Sequence, residues 1–377
     1  MRVVIVSKTF VSDTYQRQLE WIARQPDVDL ALITPPVWRS DDGRLLPFVS
    51  RYTEGYTVRP LPIRFNGHFH LYTYRGLLRT LRSIRPDVVH IDEEPYNPAG
   101  TQAQWAADSV GARTVFVVLQ NLRRRYPPPY SLFEQYNYRH TAHIIAVNAP
   151  AGDVVRAKGY RGPLSAFSVY GIDPDLYVPT PHSPHGGTFV VGYIGRIVIP
   201  KGLGVLIEVL SQLPEIYRLR LVGSGSDAET LKRLAAERGV AERVTFVPAV
   251  QTSEVPSELS RMDVLVLPSL SRRNWTEQFG RVLIEAMACQ VPVVGSDSGE
   301  IPRVVGDAGL IVPEGDVSAL RAALLRLYER PDERSDLARR GRERVLANFT
   351  QEQVALKTVG VWRQALARQL QIASLHS

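Results

Sequence analysis

Two cations and two carboxylates stand out by their placement. Arg196 and Lys201 lie in GRIVIPKG (195–202), where a short apolar run ends, Gly195 turns the chain and the helical pattern LGVLIEVLSQL begins. At the carboxyl end of a strand and beside a helix N-terminus, a guanidinium, an ammonium and the helix dipole suit a diphosphate. The bland alternative is a pair of solvated surface charges. Glu277 and Glu285 lie in TEQFGRVLIEAMACQ, where Gly280 to Gln290 has helical spacing, almost no polar face, and only Arg281 and Glu285 as charges. A carboxylate in so apolar a helix is costly unless something satisfies it. An Arg281–Glu285 pair at i, i+4 contributes only about 0.2–0.5 kcal/mol on a helix surface. Two vicinal hydroxyls of a ribose would supply two donors to Glu285. Glu277 precedes the helix, at a loop tip in reach of a sugar hydroxyl. The first-turn amides near Phe279 and Gly280 suit phosphate oxygens, and Gly280 permits close approach of a ligand to the backbone.

Other stretches carry weaker chemistry. LVGSGSDAET places Gly223, Gly225 and Ala228 between a strand and a helix, as in a dinucleotide fingerprint. The next strand, VTFVP, ends without the acidic residue that grips an NAD ribose, so a tight turn near a nucleotide is the better reading. DVVHIDEEPYNPAG (87–100) gathers Asp92, Glu93 and Glu94 where a strand meets a loop; a metal, a general base or helix capping are the alternatives. DVD (27–29), DPD (173–175) and Asp41–Asp42 are weak metal signals. His182 and His185 sit among prolines and glycines as solvated spacers. The single cysteine, Cys289, makes no internal disulfide and reads as a small core residue.

These residues need elements to hold them. The 377 residues, 44% of them hydrophobic, suit two domains rather than one core. Strands are predicted at Val3 to Val6, Asp29 to Ile33, Asp87 to Ile91, Thr114 to Leu119 and His143 to Val147. After the aperiodic segment Val178 to Phe189, more follow at Phe189 to Ile194, Arg218 to Val222, Val244 to Val247, Val264 to Leu267, Val291 to Val294 and Leu310 to Val312. Helical patterns divide them throughout. Continuous apolar strands separated by helices predict an α/β chain of two doubly wound, Rossmann-like domains with parallel sheets, facing a cleft. The expected division is 1–178, 188–348 and a closing helix, 349–377, packing back toward the first domain.

These pieces together resemble the GT-B glycosyltransferases of family 4. The carriers are GRIVIPKG (195–202), LVGSGS, DVLVLPS (263–269), VYGIDPDLYVP (169–179) and above all EQFGRVLIEAMACQVPVVGSDSGEIPRVVGDAGLIVPEGD (277–316), with the spacing Glu277-x7-Glu285. The resemblance implies that Arg196 and Lys201 hold the donor diphosphate, that Glu285 binds the ribose, and that Glu277 contacts the donor sugar. It implies that the Phe279–Gly280 amides contact sugar or phosphate. It also implies retention of anomeric configuration, no essential metal and no cofactor beyond a nucleotide-diphosphate sugar as co-substrate. Two departures matter. The family often has a Gly-Gly pair after the first strand, where this chain has SKTFVSDTYQRQ. Many members carry a His after the strand corresponding to TVFVVL, where Gln120 and Asn121 follow here; Gln120 still hydrogen-bonds a sugar but is neither acid nor base at neutral pH.

The expected function is transfer of a sugar from that donor to a sugar, lipid-linked or small-molecule acceptor. Other GT-B chemistry, phosphorolysis or epimerisation, is the nearest rival; a non-catalytic membrane- or nucleic-acid-binding protein is the rival from another class. The net charge of +7 favours anionic partners. Arg75, Arg79, Arg82 and Arg85 at near-helical spacing and Arg123 to Arg125 in NLRRRYPPPY suit an anionic membrane face or an anionic acceptor, a solvated helix face being the readier reading of the first set. No nucleic-acid module is recognisable. No apolar run reaches the roughly 18 residues of a membrane span, and MRVVIVSKTF reads as a first strand, so a cytoplasmic protein, peripheral at most to the inner membrane face, is expected.

Overall fold

The computed structural model describes residues 1–40, 43–180 and 187–375, with side chains through residue 367. Asp41–Asp42, His182 and His185 lie outside the described residues. The chain divides into two compact units, Met1–Gly171 with Gln351–Ser377, and Ile172–Thr350.

The main sheet of the first unit has seven strands: β1 (Arg2–Ser7), β2 (Asp29–Thr34), β3 (Tyr56–Pro60), β4 (Val88–Asp92), β5 (Arg113–Val118), β6 (His143–Ala146) and β7 (Leu164–Ala166). They form one parallel sheet in the order β7-β6-β5-β4-β1-β2-β3. Their Val- and Ile-rich runs are buried on both faces, as a sheet covered by helices requires. One face packs against the closing helix Gln351–Leu375, whose Trp362 is fully buried beside Val3, Ile5 and Val117. Strand order reverses between β1 and β4.

The second unit has six parallel strands: β8 (Phe189–Ile194), β9 (Tyr217–Val222), β10 (Val244–Val247), β11 (Val264–Leu267), β12 (Val293–Ser296) and β13 (Leu310–Val312), in the order β10-β9-β8-β11-β12-β13. Its reversal falls between β8 and β11, and ligands of such sheets bind beyond the carboxyl ends of the strands at that point. Ile172 bridges Thr350, so this unit's two ends are paired.

The predicted strands are present with shifts of one or two residues. Two edge strands were not anticipated. β3 carries Arg59 and Pro60 and is largely exposed, and β7 is three residues long, so neither shows the continuous apolar run of a central strand.

Candidate functional site

The loop after β8 carries Gly195, Arg196 and a 3-10 turn, Ile199–Lys201, ahead of the helix Leu203–Ser211. Two neighbouring loops fix its path. Leu270 donates its backbone N–H to Pro200 at 2.8 Å. Gly202, at φ +70°, lies so close that a Cβ there would stand 1.9 Å from the Pro268 carbonyl oxygen. On the other side a Cβ at Gly223 would meet the Gly195 carbonyl at 1.8 Å, and one at Gly225 the Ile197 carbonyl at 2.0 Å. Ile197 N–H donates to Ser224 across the same seam at 2.9 Å, and Ile199 N–H to the Asp227 carboxylate at 2.6 Å. The glycine pair of LVGSGS therefore serves loop-to-loop packing; no ligand is needed to explain it.

This path delivers Lys201 to Glu277. The ammonium lies 2.5 Å from Glu277 Oε2, with side-chain exposures of 14% and 9%, so the pair is largely withdrawn from water. The same oxygen accepts from Ser269 Oγ at 2.8 Å, and Lys201 Nζ stands 5.2 Å from the centre of the Trp275 ring. Ser269 stands two residues past β11, so the pair joins the loops at the carboxyl ends of β8 and β11, at the point of reversal. Glu277 is accordingly not on an exposed loop tip. Its backbone carbonyl accepts from Glu300 N–H, and Gly299 packs against that carbonyl. Arg196 is exposed. Burial, with the Glu277 carboxylate adding and the Arg196 guanidinium opposing, holds the Tyr193 hydroxyl above its usual range. Tyr193 in turn donates to the Arg196 carbonyl at 2.7 Å.

The helix predicted from Gly280 runs Arg281–Ala288. Gly280, at φ +79°, precedes it in the left-handed conformation, and a Cβ there would press on Leu267 and Leu283. The chain's own leucines thus use the room that glycine leaves. Phe279 is buried, with its ring 5.7 Å from that of Phe349. Glu285 is buried and finds partners inside the unit. Arg281 approaches its Oε1 at 2.8 Å, and the Tyr177 hydroxyl donates to the same atom at 3.0 Å. Burial still pushes its carboxyl up, against the pull of Arg281 and Tyr177. The i, i+4 pair with Arg281, the alternative to a ligand, therefore forms, and with Tyr177 it gives Glu285 Oε1 two partners. Burial, with Glu285 adding, also pushes the Cys289 thiol up to about 12, as for an inert core residue.

In the first unit, Asp92, Glu93 and Glu94 do not cap the following helix: its cap is Asn97, which makes no side-chain capping bond. Ser7 donates to Asp92 at 2.6 Å, and Lys8 pairs with the fully buried Glu93 at 2.7 Å. Glu94 Oε1 accepts from the amides of Leu119 and Gln120 at 3.0 and 3.1 Å, while burial raises its carboxyl to about 7. Gln120 sits just past β5 with both ends of its amide engaged, Nε2 donating to Tyr126 at 2.9 Å and Oε1 accepting from Lys158 at 3.1 Å. Trp362 donates to His90 Nδ1 at 3.1 Å, and burial lowers that imidazole to about 4. Asp27 and Asp29 are taken by Arg363 and Arg2, and Asp173 makes a turn with the Asp175 amide. Among the described residues, no three His, Cys, Asp or Glu side chains cluster to hold a metal ion.

Sequence reasoning missed Ser269, Trp275 and Tyr177. Ser269 was legible as the last residue of VLVLPS; Tyr177 and Glu285 are too far apart in the chain for any pattern to link them.

A family model described as Glycosyl transferases group 1 matches residues 180–344, and one described as Glycosyl transferase 4-like domain matches residues 12–165. A GDP-mannose-dependent alpha-(1-6)-phosphatidylinositol monomannoside mannosyltransferase of Mycolicibacterium smegmatis is 34% identical over 197 residues, covering 48% of this chain and 51% of that protein. A D-inositol 3-phosphate glycosyltransferase of Mycobacteroides abscessus is 37% identical over 158 residues, covering 38% and 34%. The chain thus spans about half the length, or less, of these relatives. Among solved structures, a sucrose-phosphate synthase from Thermosynechococcus elongatus matches with a TM-score of 0.74 at 21% identity, over 98% of this chain and 100% of that one. Anabaena HepE in complex with UDP matches with a TM-score of 0.71 at 17% identity, over 97% and 100%. At these identities the likeness is one of fold.

Proposed function

The chain belongs to the family-4-like glycosyltransferases of GT-B fold, and from that premise we propose that it transfers a sugar from a nucleotide-diphosphate donor to a hydroxyl-bearing acceptor. The observation that carries this reading is the meeting of Lys201 and Glu277, anchored by Ser269, at the strand reversal of the second unit. Lys201 and Arg196 offset the charge that develops on the departing diphosphate. Glu277 accepts from a hydroxyl of the donor sugar, Glu285 from the ribose, and the Phe279–Gly280 backbone faces sugar or phosphate. Gln120, whose amide Tyr126 and Lys158 hold, is the substrate-binding residue of the first unit in this reading.

The anomeric configuration is retained. The bond to the acceptor oxygen forms on the face from which the phosphate leaves, and a phosphate oxygen takes the acceptor's proton. No side-chain base and no metal are required, so activity persists in EDTA; abolition by EDTA would show a missing ion. The relatives' names favour GDP-mannose as the first donor to try and an inositol-bearing, sugar or lipid-linked acceptor. The exposed arginines 75, 79, 82, 85 and 123–125 support a cytoplasmic protein touching an anionic membrane face. No helix among the described residues is long and apolar enough to cross a membrane. The test is a thermal-shift screen with UDP-, GDP- and ADP-sugars, followed by product analysis with and without acceptor. Stabilisation by none of the donors overturns the reading; sugar phosphate or an epimerised donor as product assigns the rival chemistry.

A further inference from the structure

A lysine meant for a diphosphate is already spoken for. Lys201 lies 2.5 Å from the very carboxylate oxygen that Ser269 also holds, and both charges are mostly out of water. A diphosphate bound at Lys201 is brought next to Glu277, and at such range like charges repel strongly in a site with little water. A donor sugar relieves this, because its hydroxyl donates to the carboxylate that the ammonium has turned from. A nucleoside diphosphate without its sugar brings no such donor. Two neighbours make the exchange cheap. Ser269 holds the Glu277 carboxylate independently of Lys201, and the Trp275 ring, 5.2 Å from the ammonium, gives Lys201 an aromatic face beside the pair.

We propose that the Lys201–Glu277 pair works as an exchange device: donor binding opens it, and its re-formation after transfer expels the spent nucleotide, with Ser269 and Trp275 as positioning residues. The proposal rests on the donor reading above. Once the sugar has left on the acceptor, Glu277 loses its hydroxyl partner and competes with the diphosphate for Lys201. Glu277 then has two opposed effects: it favours the sugar-bearing donor and disfavours the product.

The experiment is calorimetric titration of the full chain with whichever of UDP, GDP and ADP stabilises it most, together with product inhibition by the same nucleotide. Glu277→Gln keeps the shape of the side chain and an acceptor for Ser269 but removes the charge. It should bind the free nucleotide about fivefold tighter, as expected for relief of roughly 1 kcal/mol of ion-pair competition. The inhibition constant should fall in parallel while turnover drops. Glu277→Ala should change nucleotide affinity in the same direction, so a folding defect in either variant leaves the other decisive. Equal or weaker nucleotide affinity in the folded variants, with Lys201→Ala still weakening it, overturns the exchange but keeps the donor site. If Lys201→Ala binds the nucleotide as the parent does, the donor reading itself fails.

Discussion

The Tyr177 hydroxyl donates to Glu285 at 3.0 Å, joining residues 108 positions apart in sequence. The bond offsets part of the cost of a carboxylate inside an apolar helix, and Arg281 offsets more of it. Tyr177→Phe should destabilise the protein by about 1–3 kcal/mol, the cost of leaving a buried charged acceptor short of a donor, read as a lowered midpoint in chemical denaturation. Nucleotide affinity should change little in that variant. Glu285→Gln should instead weaken nucleotide binding about tenfold, by loss of a charge-assisted bond to the ribose; calorimetry showing equal affinity would rule the ribose contact out.

Arg196→Ala and Lys201→Ala should each lower kcat/KM by about 10²-fold, the scale for removing one charged contact to a developing oxyanion. Steady-state kinetics with the donor found by screening reads this directly. Unchanged kinetics in both would remove them from the site.

Glu94 makes stability depend on pH in an identifiable direction. Its carboxyl is raised by burial to about 7, so between pH 4.5 and 7 the folded state holds a proton that the unfolded state has released. The stabilising contribution is therefore complete below the unfolded value and fades as pH rises through the folded one. His90, lowered to about 4 by burial, has the opposite slope: its contribution is complete above the unfolded value near 6.5 and fades as pH falls toward 4. The two overlap, so the informative quantity is the difference between parent and Glu94→Gln. That difference should shift in favour of the variant by up to about 3 kcal/mol from pH 4.5 to 7, measured by denaturant unfolding at each pH. A flat difference would mean that Glu94 titrates normally.

Gly202→Ala should cost more than the usual glycine-to-alanine change in a loop. Its left-handed φ and the Pro268 carbonyl 1.9 Å from the added Cβ leave no room without moving the β11 loop. A loss of about 2 kcal/mol or more is expected, with reduced turnover, because the same displacement moves Lys201 away from where it would meet the donor diphosphate. Wild-type stability and activity together would show that the seam between these loops yields freely.

The central strands and the positions of Arg196 and Lys201 were readable because burial on both faces writes a continuous apolar run, and because a loop between a strand and a helix has few places to go. Partnership was not readable. Glu285 looked in need of a ligand, since only the weak pair with Arg281 was visible locally and Tyr177 lay in a distant segment. Glu277 looked exposed because a polar loop gives no sign that a lysine from another loop will cover it. The Gly223–Gly225 pattern read as a tight turn near a nucleotide; its close contact with the Gly195 and Ile197 carbonyls is one that no side-chain pattern records.

Because the closing helix Gln351–Leu375 belongs to the unit that begins at Met1, the second unit is an insertion within the first. Synthesis runs from the amino terminus, so the inserted unit, its ends joined at Ile172 and Thr350, has its full complement of strands while the first still lacks Trp362. One apolar face of the first unit's sheet therefore stays uncovered until the chain beyond the inserted unit, with Trp362, has been added.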